Sequence, residues 1–186
     1  MIHVSEPMTA PPAVFQNELH RSVYATLDML HIPYVRVDND PAITMDDCVA
    51  IEEKLETPIV KTLFLCNRQQ TEFYLFVTTA DKPFKTKFFS RAMGISRVSF
   101  ASPEQLLSML GTEVGATSVL GLLHDPDRRV HLSFDRDALQ AEWYGCTDTT
   151  TTGYLKLPTK ALFDLFLPHT GHMPVLLTLE TENETK

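Results

Sequence analysis

Residues 57–66 read Thr57-Pro-Ile-Val-Lys-Thr-Leu-Phe-Leu-Cys66, or TPIVKTLFLC. The β-branched and apolar residues make this a strand, yet Lys61 stands in its middle. Strand side chains alternate between faces, so Ile59, Lys61, Leu63 and Leu65 share one face while Val60, Thr62 and Phe64 share the other. The face that carries the lysine is otherwise apolar. A lysine in that setting either snorkels its ammonium past the apolar row to water or lines a pocket where its charge meets an anion.

Working outward, Phe73 to Thr79 (FYLFVTT) reads as a second strand, and the polar Asn67-Arg-Gln-Gln70 between the two predicts a hairpin. Upstream, Phe15, Leu19, Val23, Leu27 and Leu30 fall three or four apart and predict a helix facing a core, followed by a short strand over Tyr34 to Val37. Thr44 to Leu55 predicts a helix with Thr44 as its N-cap and Asp46 and Asp47 in the first turn, where acids suit the dipole. Downstream, Phe84 to Met93 predicts a helix ended by Gly94, and Arg97 to Phe100 a short strand. Ser102-Pro-Glu-Gln105 combines an N-cap, a proline at the first helical position and a capping-box glutamine, with Gly111 as the stop. Val119 to Leu123, Arg129 to Phe134, Glu142 to Tyr144, Tyr154 to Leu157 and Val175 to Leu179 read as strands, and Pro158 to Phe166 as a helix. The expected fold is α+β, a mixed and mostly antiparallel sheet with interspersed helices. One domain over residues 14–179 is expected, with a flexible proline-rich segment at 1–13 and a flexible polar tail at 180–186.

The chain has 186 residues, 44% of them hydrophobic and 22% charged, an ordinary globular composition. No stretch approaches the ~18 uncharged apolar residues of a membrane span, and the start lacks a signal-peptide pattern, so a cytoplasmic protein without membrane partners is expected. Cys48, Cys66 and Cys146 are widely spaced, which fits free thiols in a reducing compartment. The net charge of −8 argues against broad coating of nucleic acid. Locally the balance reverses: Lys82, Lys85, Lys87, Arg91 and Arg97 follow one another with no acid between them. Such a run is either a solvated helix face or a seat for a short piece of RNA backbone.

The P-loop, GxGxxG, GxSxG and HExxH patterns do not occur. His169 and His172 form an HxxH pair without evident partners, so no metal and no cofactor is expected. The cysteines carry no flanking signature of a nucleophile. Two glycine-containing loops stand out, Gly111 to Ser118 ahead of Val119-Leu-Gly-Leu122, and Gly171-His-Met-Pro174; glycine lets a backbone approach a ligand closely and offer its N–H groups.

In order, Val60 to Leu65, Ala80-Asp-Lys82, Ser99 to Leu106, Gly115 to Gly121 and Gly171 to Val175 resemble the YbaK/prolyl-tRNA-synthetase-associated editing family, most of all its freestanding PrdX (ProXp-ala) branch. The resemblance spans roughly residues 15–179. It implies hydrolysis of amino acids wrongly attached to tRNA, with alanine on proline tRNA as the expected substrate. It implies Lys61 and His172 as catalytic residues, and Thr62, Gly115, Thr117, Ser118, Val119, Gly121, Gly171 and Pro174 around the substrate. With it, Lys82, Lys85, Lys87 and Arg91 become the expected seat of the acceptor stem, and tRNA(Pro), together with prolyl-tRNA synthetase, the expected partner. Thr62 stands where many members have asparagine, Val119 replaces a loop proline, and Cys146 to Thr152 lacks the usual His-Pro and Asn. Two other classes fit the same residues: a binding module that holds aminoacyl-tRNA or a synthetase without hydrolysis, and a hydrolase of another small ester.

Overall fold

The computed structural model describes residues 2–180 of the chain; of the expected tail at 180–186, all but Glu180 lies outside the described residues. In chain order the strands are β1 (Val35–Asp38), β2 (Lys61–Asn67), β3 (Phe73–Thr78), β4 (Val98–Phe100), β5 (Val130–Asp135), β6 (Trp143–Thr147), β7 (Gly153–Pro158) and β8 (Val175–Leu177). The helices are α1 (Glu18–Met29), α2 (Val49–Leu55), α3 (Thr86–Met93), α4 (Pro103–Leu110) and α5 (159–170), whose middle turn Leu162–Phe166 is π-helical.

The lysine strand and its partner form the expected hairpin, with Lys61 opposite Thr78 and Cys66 opposite Phe73. Around it grows a five-stranded sheet in the order β4-β2-β3-β5-β8, antiparallel at β4/β2 and β2/β3 and parallel at β3/β5 and β5/β8. A three-stranded antiparallel sheet, β1-β7-β6, stands beside it. The two touch where Ile59 bridges Gly145. A Cβ at position 145 would come within 2.6 Å of the Pro58 carbonyl oxygen, so only glycine permits this approach. The architecture is α+β as the alternation of elements suggests.

Local signals account for the helices. Asn17 caps α1 through the His20 N–H at 2.9 Å. Thr44 and Asp47 form a reciprocal capping box on a 3-10 turn, Met45–Cys48, that leads into α2. Ser102 and Gln105 do the same for α4, with Pro103 in its first turn and Gly111 in the left-handed conformation at its end. The run Val119 to Leu123, expected as a strand, is instead a 3-10 helix, Val119–His124, begun by the Ser118 hydroxyl accepting from the Leu120 N–H at 3.2 Å. Val119, Leu120 and Leu122 are all buried, and a short run buried all round carries no period that separates strand from helix. Residues 2–13, expected to be loosely attached, lie along β1: Met8 and Arg36 exchange main-chain hydrogen bonds of 2.8 Å, and the buried Arg36 guanidinium reaches the Ala10 carbonyl at 2.6 Å.

Side-chain parity divides the core. Phe64, Leu75, Val77, Leu132 and Phe134 face the main core with α1, α4, α5 and the inner residues of β6 and β7. Leu65, Tyr74 and Phe76 face the other way, against Phe89 of α3. A third cluster packs α2 on β1 and Tyr154.

Candidate active site

β2 is paired along its whole length on one edge and only at its two ends on the other. On that second edge, β4 takes Leu65 to Asn67, the Ala101 N–H donates to the Phe64 carbonyl at 3.0 Å, and the Val60 N–H donates to the Gly145 carbonyl at 3.0 Å. Alternate residues of a strand point their main-chain groups to the same side. The N–H and C=O of Thr62 therefore point into the gap between those two bonds, where no strand meets them. The Thr62 side chain is turned to the core face, where its buried oxygen meets the Tyr144 hydroxyl, so it is the main chain of Thr62 that is left facing the gap. Unpaired polar groups of this kind are rare inside proteins and call for a ligand or a water.

A cleft of about 300 Å³ opens at this gap. Lys61, Thr62, Leu63 and Phe64 line it from β2, Gly115 and Thr117 from one loop, and Cys146, Thr147 and Tyr154 from the smaller sheet. Its inner wall is buried, with Cys48, Cys146 and Tyr154 all under 5% exposed, whereas Ile43, Phe100 and Val114 at its rim are more than half exposed. The mouth and the floor are thereby defined. Gly115 holds a φ of +90°, and a Cβ there would press on the Ile43 backbone at 3.1 Å, so the loop closes against Ile43 only as glycine.

Lys61 lines the cleft with its ammonium donating to the Lys82 carbonyl at 2.6 Å. Burial pulls its pKa below the ordinary lysine value and the Asp81 carboxylate partly offsets that. An ammonium has three donors, so two remain for a ligand. The lysine is neither a plain surface residue nor buried in the core; it is held at the edge of the cavity by its own backbone neighbourhood.

Of the loop residues expected around a substrate, Gly115 and Thr117 reach the cleft, while Ser118, Val119 and Gly121 lie buried behind it. The N–H groups of Ala116, Leu120 and Gly121 are consumed within the loop by Glu113 and Ser118. Gly171, His172 and Pro174 do not line the cleft. His172 is buried, its Nε2 3.0 Å from the Asp125 carboxylate and its Nδ1 3.0 Å from the Thr170 hydroxyl. The same carboxylate accepts from the N–H groups of Arg129 and Val130, at the start of β5. Lys61 instead pairs with Thr78, whose hydroxyl donates to Asp135 at the end of β5. Five residues of strand, about 16 Å, separate the two ends. His169 is exposed.

The expected cationic seat divides as well. Lys82 is mostly buried and bonds the carboxylates of Asp135 at 2.6 Å and Asp137 at 2.7 Å, and Arg91 pairs with Glu180 at 3.2 Å. Both charges are neutralised within the chain. Lys85 and Lys87 are exposed and line a second, shallower cleft with Phe84, Thr86, Arg97 and Phe100.

Sequence reasoning missed Thr147 and Tyr154, which reach the cleft through a register no local pattern records. It met Cys48 and Cys146 only as thiols without a signature. Burial pushes the Cys146 thiol up to about 12, and the Cys48 thiol also rises, so neither is a thiolate near neutrality. Behind Thr147 lies a buried polar turn. The Asp148 carboxylate, 1% exposed, accepts from the Tyr24 hydroxyl at 2.8 Å and lies 2.9 Å from His20 Nε2. His20 Nδ1 accepts from the Gln16 N–H, so Nε2 carries the proton and donates. Thr150 also donates to Asp148, and Thr147 donates to the Thr150 carbonyl. Burial, reinforced by Asp148, raises the Tyr24 pKa. Within the turn, Thr149 holds a φ of +82°, strained for a β-branched residue. With the Thr150 N–H at 3.2 Å as a fourth donor, this buried carboxylate over-determines the backbone that presents Thr147 to the cleft.

The sequence matches the family described as "Aminoacyl-tRNA editing domain" over residues 39–165, which includes the whole cleft. The chain belongs to that family and is an aminoacyl-tRNA deacylase. It is 32% identical over 117 residues to the prolyl-tRNA editing protein ProX of Acetoanaerobium sticklandii, covering 63% of this chain and 71% of that one. It is 25% identical over 173 residues to a prolyl-tRNA synthetase associated domain-containing protein of Danio rerio, covering 90% and 91% respectively. Among solved structures, the fold is shared with a candidate trans-editing enzyme for prolyl tRNA synthetase, at a TM-score of 0.63 and 18% identity over 88% of this chain and 99% of that one. It is also shared with the hypothetical protein APE2540, at a TM-score of 0.64 and 18% identity over 83% and 97%.

Proposed function

We propose that the chain removes alanine from mischarged proline tRNA, and that the ester is hydrolysed at the unpaired edge of β2. The observation that carries this reading is the coincidence, in one cleft of about 300 Å³, of the Lys61 ammonium with a Thr62 main chain that no strand occupies. The aminoacyl ester enters past the exposed Ile43, Phe100 and Val114, and the amino-acid side chain lies toward the buried Cys48, Cys146 and Tyr154. A water attacks the ester carbonyl, the C–O bond to the terminal ribose breaks, and the ribose hydroxyl and the free amino acid leave.

Negative charge develops on the carbonyl oxygen as the water adds. The Thr62 N–H and the Lys61 ammonium are the preorganised donors that stabilise it, and such donors act strongly where water is excluded. The Thr117 and Thr147 side chains line the same cavity and position the water or the substrate amine. An aminoacyl ester is labile, so positioning and charge stabilisation suffice without a nucleophilic triad. The high Cys146 pKa agrees with that division of labour. Selection is by size: a synthetase pocket built for proline cannot strongly reject the smaller alanine, and a second, tighter site removes it. The name of the ProX relative supports proline tRNA as the carrier; prolyl-tRNA synthetase is the proposed source of the mischarged tRNA.

Deacylation of a panel of aminoacyl-tRNAs tests this. Alanyl-tRNA(Pro) is expected to be cleaved and prolyl-tRNA(Pro) spared. Equal cleavage of the two, or cleavage of neither, sinks the proposal.

A further inference from the structure

Phe100 belongs to two cavities of opposite character. It lines the rim of the Lys61 cleft, and it also lines the second cleft with Lys85, Lys87 and Arg97. Phe100 is 59% exposed. A lone exposed aromatic means little on a protein surface; this one is fixed from both ends. The backbone is held by the β4 register opposite Leu65, and the ring meets Phe84 edge-on, with centroids 5.9 Å apart and planes at 68°. Lys87 lies over the Phe88 ring at 4.8 Å, and neither it nor Arg97 has an ion pair among the described residues. An apolar cleft that receives an ester, an oriented aromatic ring at its mouth, and then the Lys87 and Arg97 cations beyond the ring follow one another along the surface. The same sequence of chemistries runs along the 3′ end of an aminoacylated RNA: ester, terminal base, then phosphates.

We propose that Phe100 is the platform on which the terminal base of the acceptor strand stacks, with Lys87 and Arg97 carrying the phosphates that precede it. This rests on the placement of the ester in the Lys61 cleft. Aromatic rings accept any base through its π face, so Phe100 holds the strand without reading sequence. It is a binding residue set apart from the reacting atoms: the stack on Phe100 is made equally before and during hydrolysis. The neighbouring cations supply the salt-dependent part of binding.

The test is a double-mutant cycle between protein and RNA. Unacylated hairpins of the proline acceptor stem are prepared with an intact 3′ CCA end or with an abasic terminal residue. Phe100→Ala is expected to weaken binding of the intact hairpin about 10-fold, the scale of one lost base stack. It is expected to leave the abasic hairpin unaffected, while Phe100→Trp keeps or tightens binding to the intact one. In deacylation of alanyl-tRNA(Pro), the alanine variant raises KM by a similar factor with kcat changed less than about 3-fold, the pattern of lost uniform binding. Equal loss on both hairpins, or no loss on either, overturns the stacking role, as does a tryptophan variant that fails like alanine while folded. Binding needs no catalysis, so the two readings fail separately. If Lys61→Ala retained full deacylation while the coupling between Phe100 and the terminal base persisted, the ester placement would fall and the base platform would stand.

Discussion

Lys61 and His172 each mark one end of the larger sheet, and the two ends are built on opposite principles. At the His172 end, the ring, the Asp125 carboxylate, the Thr170 hydroxyl and the N–H groups of Arg129 and Val130 satisfy one another in a buried cluster. At the Lys61 end, the strand edge is left open, the Thr62 main chain faces a gap that no strand fills, and a cavity stands before it. A satisfied polar cluster stabilises a fold; an unsatisfied one, held in place by its surroundings, binds. Both residues attract notice in the sequence, and only the pairing of their neighbours separates the two roles. By this comparison His172 fastens the loop before β8 to the start of β5, and the hydrolysis we propose is assigned to Lys61 and Thr62.

The comparison breaks most visibly at the lysine. Lys61→Arg retains the charge but replaces a compact ammonium with a planar fork that does not reproduce its bond to the Lys82 carbonyl. Deacylation of alanyl-tRNA(Pro) is expected to fall about 10²-fold, measured under single turnover. In the wild type, the excess over uncatalysed hydrolysis should decline as pH rises through the Lys61 pKa, because the proton that makes it a donor is lost there. Burial places that decline below 10.5. The unfolded chain keeps this proton to higher pH than the folded one, so the lysine's contribution to stability rises with pH over the same window.

At the other end the expected effect is on stability. His172→Ala removes one partner from a buried carboxylate and is expected to cost roughly 2 kcal/mol, read as a lower denaturant midpoint at unchanged slope. A variant as stable as the wild type would remove His172 from the buried cluster's account. The smallest effect belongs to the second cleft. Reversing Lys85 and Lys87 to glutamate should weaken tRNA binding and lower the log–log salt slope by roughly 1 for each phosphate that is no longer neutralised. The same reversal at Lys82 would instead damage the fold, since its ammonium holds Asp135 and Asp137 together.

How much of this is readable in the sequence depends on range. Ser102, Pro103, Gln105 and Gly111 define α4 because every partner lies within one helix. The hairpin of β2 and β3 is legible for the same reason. The parallel pairings of β3 with β5 and of β5 with β8 join segments far apart in the chain, and no local pattern encodes their register. The site follows that division. Lys61 stands out because it breaks the apolar face of its own strand, and Gly115 because a glycine-containing loop is a local sign. Thr147 and Tyr154 reach the cleft only because Gly145 lets β6 close on Ile59. Lys82 and Arg91 look like members of a cationic stripe until the distant Asp135, Asp137 and Glu180 fold back onto them. Val119 shows the converse: an apolar run that suits a strand is spent in the core as a 3-10 turn.

One paired measurement bears on the account most directly: single-turnover deacylation of alanyl-tRNA(Pro) by Lys61→Ala and by His172→Ala, each shown to be folded at the assay temperature. The account predicts a loss of about 10²-fold or more for the lysine variant and a rate within about 3-fold of wild type for the histidine variant, in line with an interaction that supports only the fold. A folded Lys61→Ala protein at wild-type rate, or a folded His172→Ala protein as inactive as the lysine variant, would contradict it.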